Sequence, residues 1–168
     1  MKKIGLLSDT HGFLHPAVSD FFKDCDEIWH AGDIGTLEVA RQLSDMKPLR
    51  AVHGNIDGGQ LRIQFREAEQ FLCEQARVLI LHIGGYPGKY SPKALKLIRE
   101  FQPSLFISGH SHILKVMYDE KHNLLHINPG AAGKSGLHQS TTMVRFIIDG
   151  ERIRDLEVYD QPRSRSVG

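Results

Sequence analysis

Cysteine is scarce in this chain of 168 residues. Cys25 and Cys73 are the only two, they lie far apart, and neither belongs to a Cys-x-x-Cys pair. A disulfide framework or a zinc site built on thiolates is therefore not expected. Two free thiols fit a reducing compartment, and we therefore expect a cytoplasmic protein.

Long hydrophobic runs are also missing. No apolar stretch approaches the ~18 residues that a membrane-spanning helix requires. The N-terminus, MKKIGLLSDTHG, carries two lysines and a few apolar residues, but an aspartate and a histidine follow at once. The apolar run is too short for a secretory signal peptide. The sequence thus predicts neither a membrane protein nor a secreted one.

Neither sign of charge dominates, because the chain has 21 lysine and arginine residues and 20 acidic residues. The surface as a whole offers no electrostatic platform for nucleic acid or an anionic membrane. The composition, 40% hydrophobic and 24% charged, is that of an ordinary globular protein of single-domain size. We assign residues 1–160 to one domain and residues 161–168, QPRSRSVG, to a flexible C-terminal tail.

Short apolar runs bounded by glycine alternate with helical segments through the first two thirds of the chain. The apolar runs are KIGLLS, EIWHAG, LRAVHG, RVLILH and LFISG. Such continuous runs fit strands that are covered on both faces, and their alternation with helices predicts an α/β fold with parallel strands. Ser91 and Pro92 predict a helix start, with the serine as cap.

After Ser111 the pattern changes to strands without helices. Four runs follow one another, with turn signals such as Asp149-Gly150 between them: ILKVMYDE, NLLHIN, TTMVRFIID and ERIRDLEVYD. This pattern predicts a β-meander of hairpins, which is too thin to bury a core alone. Two sheets packed face to face, with helices outside, would use all of these elements.

Polar side chains with ligand chemistry follow five of the predicted strands at the point where each strand ends. They are Asp9 and His11, Asp33, Asn55, His82, and His110 with His112. About one strand-helix unit separates each group from the next. Open α/β sheets bind ligands outside the carboxyl ends of their strands, so these side chains are expected at one edge.

Each residue alone has an ordinary structural explanation. Asp9 fits the cap of a following helix, Asp33 and Asn55 fit polar turns, and His82 fits a buried core histidine. The joint pattern favours a metal centre. Its oxygen and imidazole ligands suit manganese, with iron, zinc or nickel as alternatives. Seven groups exceed what one ion with open positions needs, so two ions sharing a carboxylate are expected. The remaining positive charge would attract a phosphate.

The sequence resembles the calcineurin-like metallophosphoesterase superfamily, and in particular its small phosphodiesterase branch in bacteria and archaea. The family pattern appears in order over nearly the whole chain, as Asp9-Thr10-His11, Gly32-Asp33, Gly54-Asn55, His82 and Gly109-His110-Ser111-His112. The resemblance implies a four-layer αββα fold, a two-sheet β-sandwich flanked by helices. It also implies one ion held by Asp9, His11, Asp33 and His112 and a second held by Asp33, Asn55, His82 and His110.

The resemblance implies a reaction in which a metal-bridging hydroxide attacks the phosphorus of a small phosphate ester. Asp33, Asn55 and His110 are the expected catalytic residues. Many superfamily members place a proton-donating histidine after the asparagine, but this chain has Ile56, which predicts a preference for good leaving groups. His53 is a candidate substitute acid. Asp57 is expected to orient a ligand histidine.

Two alternatives to the phosphodiesterase stay open at this point. The retromer small subunit resembles the same branch and acts as a binding module, so a weakly active or inactive interaction scaffold is the main rival. A phosphomonoesterase or nucleotidase would use the same site chemistry. A homodimer or homotetramer is a further expectation, since an exposed edge of the meander can pair. The spacing of His138 assigns it no role.

Overall fold

Strands dominate the computed structural model, which describes residues 1–163. Within this range there are twelve strands: β1 (Lys2–Leu7), β2 (Glu27–His30), β3 (Leu49–Ala51), β4 (Ala68–Cys73), β5 (Ala76–Leu81), β6 (Gly85–Tyr86), β7 (Lys89–Tyr90), β8 (Leu105–Ile107), β9 (Leu114–Asp119), β10 (Leu124–Pro129), β11 (Ser140–Asp149) and β12 (Arg152–Pro162). The same range contains four helices: α1 (Val18–Phe21), α2 (Leu37–Met46), α3 (Gly59–Gln64) and α4 (Pro92–Phe101).

Ten of these strands form two mixed five-stranded sheets. The first has the order β12-β11-β1-β2-β3, and the second has the order β4-β5-β8-β10-β9. Three neighbouring strands run parallel in each sheet: β1, β2 and β3 in the first, and β5, β8 and β10 in the second. Antiparallel strands complete both sheets. All parallel strands therefore end on the side from which the sequence predicts metal ligands.

The two sheets pack face to face with helices outside, which confirms the predicted sandwich. Leu6, Trp29 and Val144 of the first sheet meet Val78 and Ile107 of the second in one fully buried cluster. A second cluster joins the outer face of the first sheet to α2, and a third joins the second sheet to α4. Burial of apolar surface on both faces is the main force that holds the layers together.

The helix start at Ser91 and Pro92 is confirmed. The Ser91 hydroxyl oxygen accepts a hydrogen bond from the Ala94 amide at 3.1 Å, and Pro92 is the first helical residue. By contrast, the helical segment expected between the apolar runs KIGLLS and EIWHAG is reduced to the single turn α1. None of the helices among residues 1–163 is long and apolar enough to cross a membrane.

The C-terminal strands differ from the predicted meander. They form two hairpins on different sheets: β9 and β10 join the second, whereas β11 and β12 join the first through β1. Strand β4 was not predicted, since it is a half-buried edge strand with charged positions. At the C-terminus β12 continues to Pro162, so the predicted tail does not begin at Gln161. Residues 164–168 of that tail lie outside the described part of the chain.

Candidate metal centre

The carboxyl ends of five strands converge where the two sheets meet, and each delivers a predicted ligand. Asp9 and His11 follow β1, Asp33 follows β2, Asn55 follows β3, His82 follows β5, and His110 and His112 follow β8. Main-chain hydrogen bonds hold these loops together. The Asp9 amide donates to the Gly32 carbonyl at 3.0 Å, and the Gly109 amide donates to the His82 carbonyl at 3.0 Å.

Two clusters of ligand atoms result. In the first, single ligand atoms of Asp9, His11 and His112 lie within 4.8 Å of one another. Asp9 Oδ1 lies 3.2 Å from His112 Nε2 and 3.8 Å from His11 Nε2. The aspartate is fully buried at the bottom of this cluster.

The second cluster contains Asp33, His82 and His110, whose ligand atoms also lie within 4.8 Å of one another. Asp33 Oδ2 is 3.2 Å from His82 Nε2. Asn55 adds its amide oxygen, which lies 3.1 Å from His82 Nε2 and 3.0 Å from His110 Nδ1. The structure thus gathers all four residues that the family resemblance assigns to the second ion.

Asp33 lies between the two clusters. Its Oδ2 atom is 3.4 Å from His11 Nε2 in the first cluster and 3.2 Å from His82 Nε2 in the second. Its other oxygen, Oδ1, accepts a hydrogen bond from the Ile56 amide at 3.0 Å. One oxygen is therefore fixed by the main chain while the other faces both groups of ligands.

When the histidines are neutral, several imidazole nitrogens and carboxylate oxygens of the two clusters face one another with their lone pairs. The Nδ1–H of His82 donates to the Ala31 carbonyl at 2.8 Å, so in the neutral ring Nε2 carries a lone pair toward the Asp33 and Asn55 oxygens. Asp9 Oδ2 accepts from the Ser8 hydroxyl and from the His110 amide, whereas Asp9 Oδ1 is buried without a hydrogen-bond partner. Buried acceptors that face one another need a cation or a shared proton. This donor set, with no thiolate, fits divalent metal ions.

The pKa shifts of Asp9 and His82 agree with this requirement for a cation or a proton. Burial acts to raise the pKa of Asp9, but the nearby His11 and His112 rings outweigh it and hold that pKa well below its usual range. Burial acts to lower the pKa of His82, but the nearby Asp33 and Asp9 carboxylates raise it above its ordinary value. The clustered carboxylates therefore favour a positive charge beside them, either a proton on a histidine or a metal ion. A divalent ion would displace such a proton.

The comparisons with known proteins agree with this geometry. Residues 1–151 match the sequence profile of the calcineurin-like phosphoesterase superfamily domain. The chain belongs to this superfamily. A probable metallophosphoesterase of Methanothermobacter thermautotrophicus is 31% identical over 160 residues, which are 92% of this chain and 90% of that protein. Membership implies a hydrolase of phosphoric esters that binds divalent metals.

Solved structures share the fold. An archaeal phosphodiesterase superimposes with a TM-score of 0.73 at 22% identity, covering 94% of this chain and 99% of its own. Vps29 of Chaetomium thermophilum superimposes with a TM-score of 0.75 at 13% identity, covering 96% of this chain and 100% of its own. The four-layer phosphoesterase fold expected from the resemblance is thereby confirmed.

Backbone strain marks the phosphoesterase site. Five of the seven predicted ligands adopt left-handed φ angles between 48° and 72°: Asp9, His11, Asp33, His110 and His112. Non-glycine residues rarely take this conformation, and it costs of order 1–3 kcal/mol at each position. The surrounding main-chain hydrogen bonds must supply that energy. Strain concentrated on ligand positions is typical of functional sites.

The contacts of Asp57 differ from the prediction that this residue orients a ligand histidine. Its buried carboxylate accepts three main-chain hydrogen bonds, from the amides of Ile34 at 3.1 Å, Gly35 at 2.8 Å and Gly54 at 2.8 Å. It therefore ties the loop that carries Asp33 to the loop that carries Asn55. Asp57 therefore positions main-chain amides, and none of these three hydrogen bonds comes from a histidine ring.

His53 lies beside the site. Its Nδ1–H donates to the Phe65 carbonyl at 2.8 Å, and its ring lines a cavity together with Asn55 and His82. We call this cavity of about 490 Å³ the His53 cavity. Ile56, at the position where the resemblance implied a proton donor in many superfamily members, is half exposed and carries no titratable group.

His138 is a residue of the site that the sequence did not predict. Its Nε2–H donates to the Gly133 carbonyl at 2.8 Å, so its Nδ1 is an acceptor. His112 Nδ1 lies 3.1 Å from that acceptor and must carry the proton. The Nε2 atom of His112 is then left unprotonated toward Asp9. No spacing in the sequence signals this contact, because it joins two loops 26 residues apart.

Proposed function

We propose that this chain is a two-metal phosphodiesterase of small phosphate esters, with manganese as the expected metal. The observation that carries the proposal is that imidazole nitrogens and carboxylate oxygens face one another in two adjoining clusters that share Asp33. Asp9, His11, Asp33 and His112 would hold one ion. Asp33, Asn55, His82 and His110 would hold the other. Bound there, the ions would supply an activated water and neutralise charge on the phosphate.

The chain's own contribution is to hold its ligands in position before substrate arrives. The second oxygens of Asp9 and Asp33 accept main-chain amides, at 3.2 Å from His110 and 3.0 Å from Ile56. The His82 tautomer is fixed by the Ala31 carbonyl. Ligands fixed in this way lose little freedom on binding, and this preorganisation supports the proposed catalytic role.

Two cavities border the clusters and support a diester rather than a monoester. The His53 cavity adjoins Asn55 and His82. A second cavity of about 380 Å³, which we call the His126 cavity, adjoins Gly109 and His110. A phosphate with an organic group on each of two oxygens would place one group in each cavity. A monoester would leave one of them empty.

The reaction has no evident general acid at position 56, since Ile56 cannot donate a proton. His53 lines one cavity and is the nearest candidate, with Nδ1 occupied by the Phe65 carbonyl and Nε2 left for a substrate. General acids typically contribute 10²–10⁴-fold to such reactions. We therefore expect the enzyme to prefer esters with good leaving groups.

The test compares bis-p-nitrophenyl phosphate with p-nitrophenyl phosphate, after chelation and again after readdition of manganese. Metal-restored cleavage, faster for the diester, is the expected result. It should be lost in Asp33→Asn and in His110→Ala and kept in Asp20→Asn, which alters an exposed carboxylate far from the clusters. Absence of turnover with any divalent ion, despite ions bound at these residues, would contradict the enzymatic function.

A protein-interaction scaffold is the second candidate. The fold is shared with Vps29, and β9 presents three consecutive exposed side chains, Val116, Met117 and Tyr118, at the edge of the second sheet. Such an edge can pair with another chain, including a second copy of this one. Size-exclusion chromatography with light scattering, on the wild type and on Met117→Lys, would test the homo-oligomer. An unchanged monomeric mass in both proteins would contradict it.

A further inference from the structure

His138 lies on an exposed loop between β10 and β11. We call residues 134–139, KSGLHQ, the His138 loop. Within these six residues only the His138 side chain is partly buried, and Leu137, the one large apolar side chain, is 98% exposed. None of the six belongs to the three buried clusters of the sandwich. Burial of apolar surface therefore does not hold this loop in place, and hydrogen bonds must do so.

The two ends of the His138 loop are fixed by the sheets. Just before the loop, the Gly133 amide donates to the Asp9 carbonyl at 3.1 Å. Just after the loop, Ser140 begins β11 and pairs with Pro162 of β12. The residues between these two anchors need a separate restraint to stay beside the first ligand cluster.

Arg163, which directly follows β12, supplies this restraint. Its Nη1 donates to the Lys134 carbonyl at 2.7 Å and to the Gly136 carbonyl at 2.9 Å. Its main-chain amide donates to the Gln139 carbonyl at 2.8 Å. A guanidinium is always ionised and offers several donors in a fixed plane, so it suits two neighbouring carbonyls. One residue thus holds the beginning, the middle and the end of the loop.

The middle of the loop packs directly on a predicted metal ligand. A Cβ atom at Gly136 would lie 2.5 Å from His112 Nδ1, and the φ angle of Gly136 is 116°, which favours glycine. The Gly136 carbonyl is one of the two that Arg163 binds. Both parts of the loop that touch the His112 ring, the Gly136 main chain and His138 Nδ1, therefore depend on the position that Arg163 gives the loop.

We propose that Arg163 is a positioning residue of the metal centre, which through the His138 loop keeps His112 Nε2 directed toward Asp9. A loop that is already fixed need not be ordered when the metal binds, so the restraint should raise metal affinity. This inference rests on the metal centre of the proposed function, but it does not depend on turnover. Arg163 lies beyond residues 1–151, which match the superfamily domain, so the restraint comes from the C-terminal segment of this chain.

The experiment measures manganese affinity by titration of the chelated protein in competition with a chelator. Arg163→Ala should bind manganese about 3- to 10-fold more weakly than the wild type. This loss is smaller than that expected for His138→Ala, because Arg163 acts through one further contact. Arg163→Lys keeps a charged donor for one carbonyl and should recover part of the loss. Removal of a positive charge would by itself favour a cation, so charge alone predicts the opposite change.

Arg152→Ala is the matched control. Arg152 is an exposed arginine at the opposite end of β12, and its removal changes the net charge by the same amount. It should bind manganese like the wild type. Thermal unfolding of each variant first confirms that it is folded. Equal affinity in Arg163→Ala and the wild type would overturn the proposal.

A double-mutant cycle separates positioning from a general loosening of the structure. In the His138→Ala background the acceptor that Arg163 positions is gone, so Arg163→Ala should lower manganese affinity by at most about 2-fold further. A loosening of the sheet end would lower the affinity by the same factor in both backgrounds. That result would contradict a role of Arg163 through His138.

Hydrolysis of bis-p-nitrophenyl phosphate by the same wild-type sample distinguishes this inference from the enzymatic function. A wild type that binds manganese without hydrolysis would refute the proposed reaction and leave the comparison of affinities intact. An active wild type with unchanged affinity in Arg163→Ala would refute only the role of Arg163. A wild type that binds no manganese would refute both.

Discussion

His112 and His138 share a hydrogen bond between Nδ1 atoms 3.1 Å apart, and this bond determines which nitrogen of His112 faces the ligand cluster. His138 must accept, because its Nε2–H is already donated to the Gly133 carbonyl. His112 must then donate from Nδ1. The unprotonated Nε2 is left 3.2 Å from Asp9 Oδ1, where a cation would join both atoms.

Removal of the His138 acceptor should weaken metal binding. Loss of the hydrogen-bond partner of a metal-binding histidine typically lowers metal affinity 10- to 100-fold, so we expect a loss of that order in His138→Ala. His138→Asn keeps an oxygen near the Nδ1 position and should retain most of the affinity. Titration of the chelated protein with manganese, in competition with a chelator, measures both. Equal affinity in His138→Ala and the wild type would show that the bond does not position His112.

Gly54 should not tolerate a side chain. A Cβ atom at this position would collide with the Asp33 amide nitrogen and with Asp33 Oδ1. Overpacking of this kind costs about 1–3 kcal/mol, and displacement of Asp33 should also lower diester turnover about 10-fold or more. Gly58, in the same loop, has open space around its Cβ position and an extended φ of −136°. Gly58→Ala is therefore the matched control.

Urea denaturation and bis-p-nitrophenyl phosphate hydrolysis would be measured on both glycine variants. Gly58→Ala should stay within about 0.5 kcal/mol of the wild type and keep its turnover. Similar losses in the two variants would mean that the contact with Asp33 is not the cause.

A histidine at position 56 should supply the missing proton donor. Ile56 is half exposed, so Ile56→His should cost little stability. We expect it to accelerate cleavage of aryl diesters with a phenyl leaving group about 10-fold or more, because a poor leaving group needs protonation. Cleavage of p-nitrophenyl diesters should change much less. Ile56→Gln adds polarity without a titratable group, and an equal acceleration in that variant would argue against acid catalysis.

The buried neutral His126 should make the protein less stable in acid. Its pKa falls from 6.5 to about 4 on folding, so between these values the unfolded chain binds a proton that the native state does not. The free energy of unfolding should therefore fall as the pH falls from 6.5 to about 4. At about 1.4 kcal/mol for each pKa unit, the loss is about 2–3 kcal/mol.

Urea denaturation at pH 7 and pH 4 measures this loss. His126→Asn has no titrating group at this position, so its stability should decline by about 2–3 kcal/mol less than that of the wild type over the same interval. Identical declines in the two proteins would show that the imidazole is not kept neutral by burial.

Features with local causes were predictable from the sequence. The cap at Ser91, the first helical position at Pro92 and the apolar runs of the inner strands all depend on residues close together in the chain. The ligand positions belong to the same group, since each lies directly after a strand. Parallel strands bring their carboxyl ends together whichever sheet they join. The seven candidate ligands were thus identifiable before their distances were known.

The prediction failed where partners are distant in sequence. Nothing local in TTMVRFIID indicates that β11 pairs with β1 and leaves β9 and β10 to the other sheet. The charged edge strand β4 was missed because it buries little apolar surface. Asp57 likewise binds main-chain amides that are 22 and 23 residues away, a role that side-chain chemistry alone does not suggest.

The sequence by itself therefore determined which candidate ligands stand at the strand ends, since strand ends, caps and residue types follow from short-range patterns. Only the tertiary structure decided how that chemistry is oriented. The contact of His138 with His112, the burial of His126 and the two cavities beside the candidate ligands all arise between loops and strands far apart in the chain. Their geometry depends on the packing of two sheets, and that packing is a property of the whole chain.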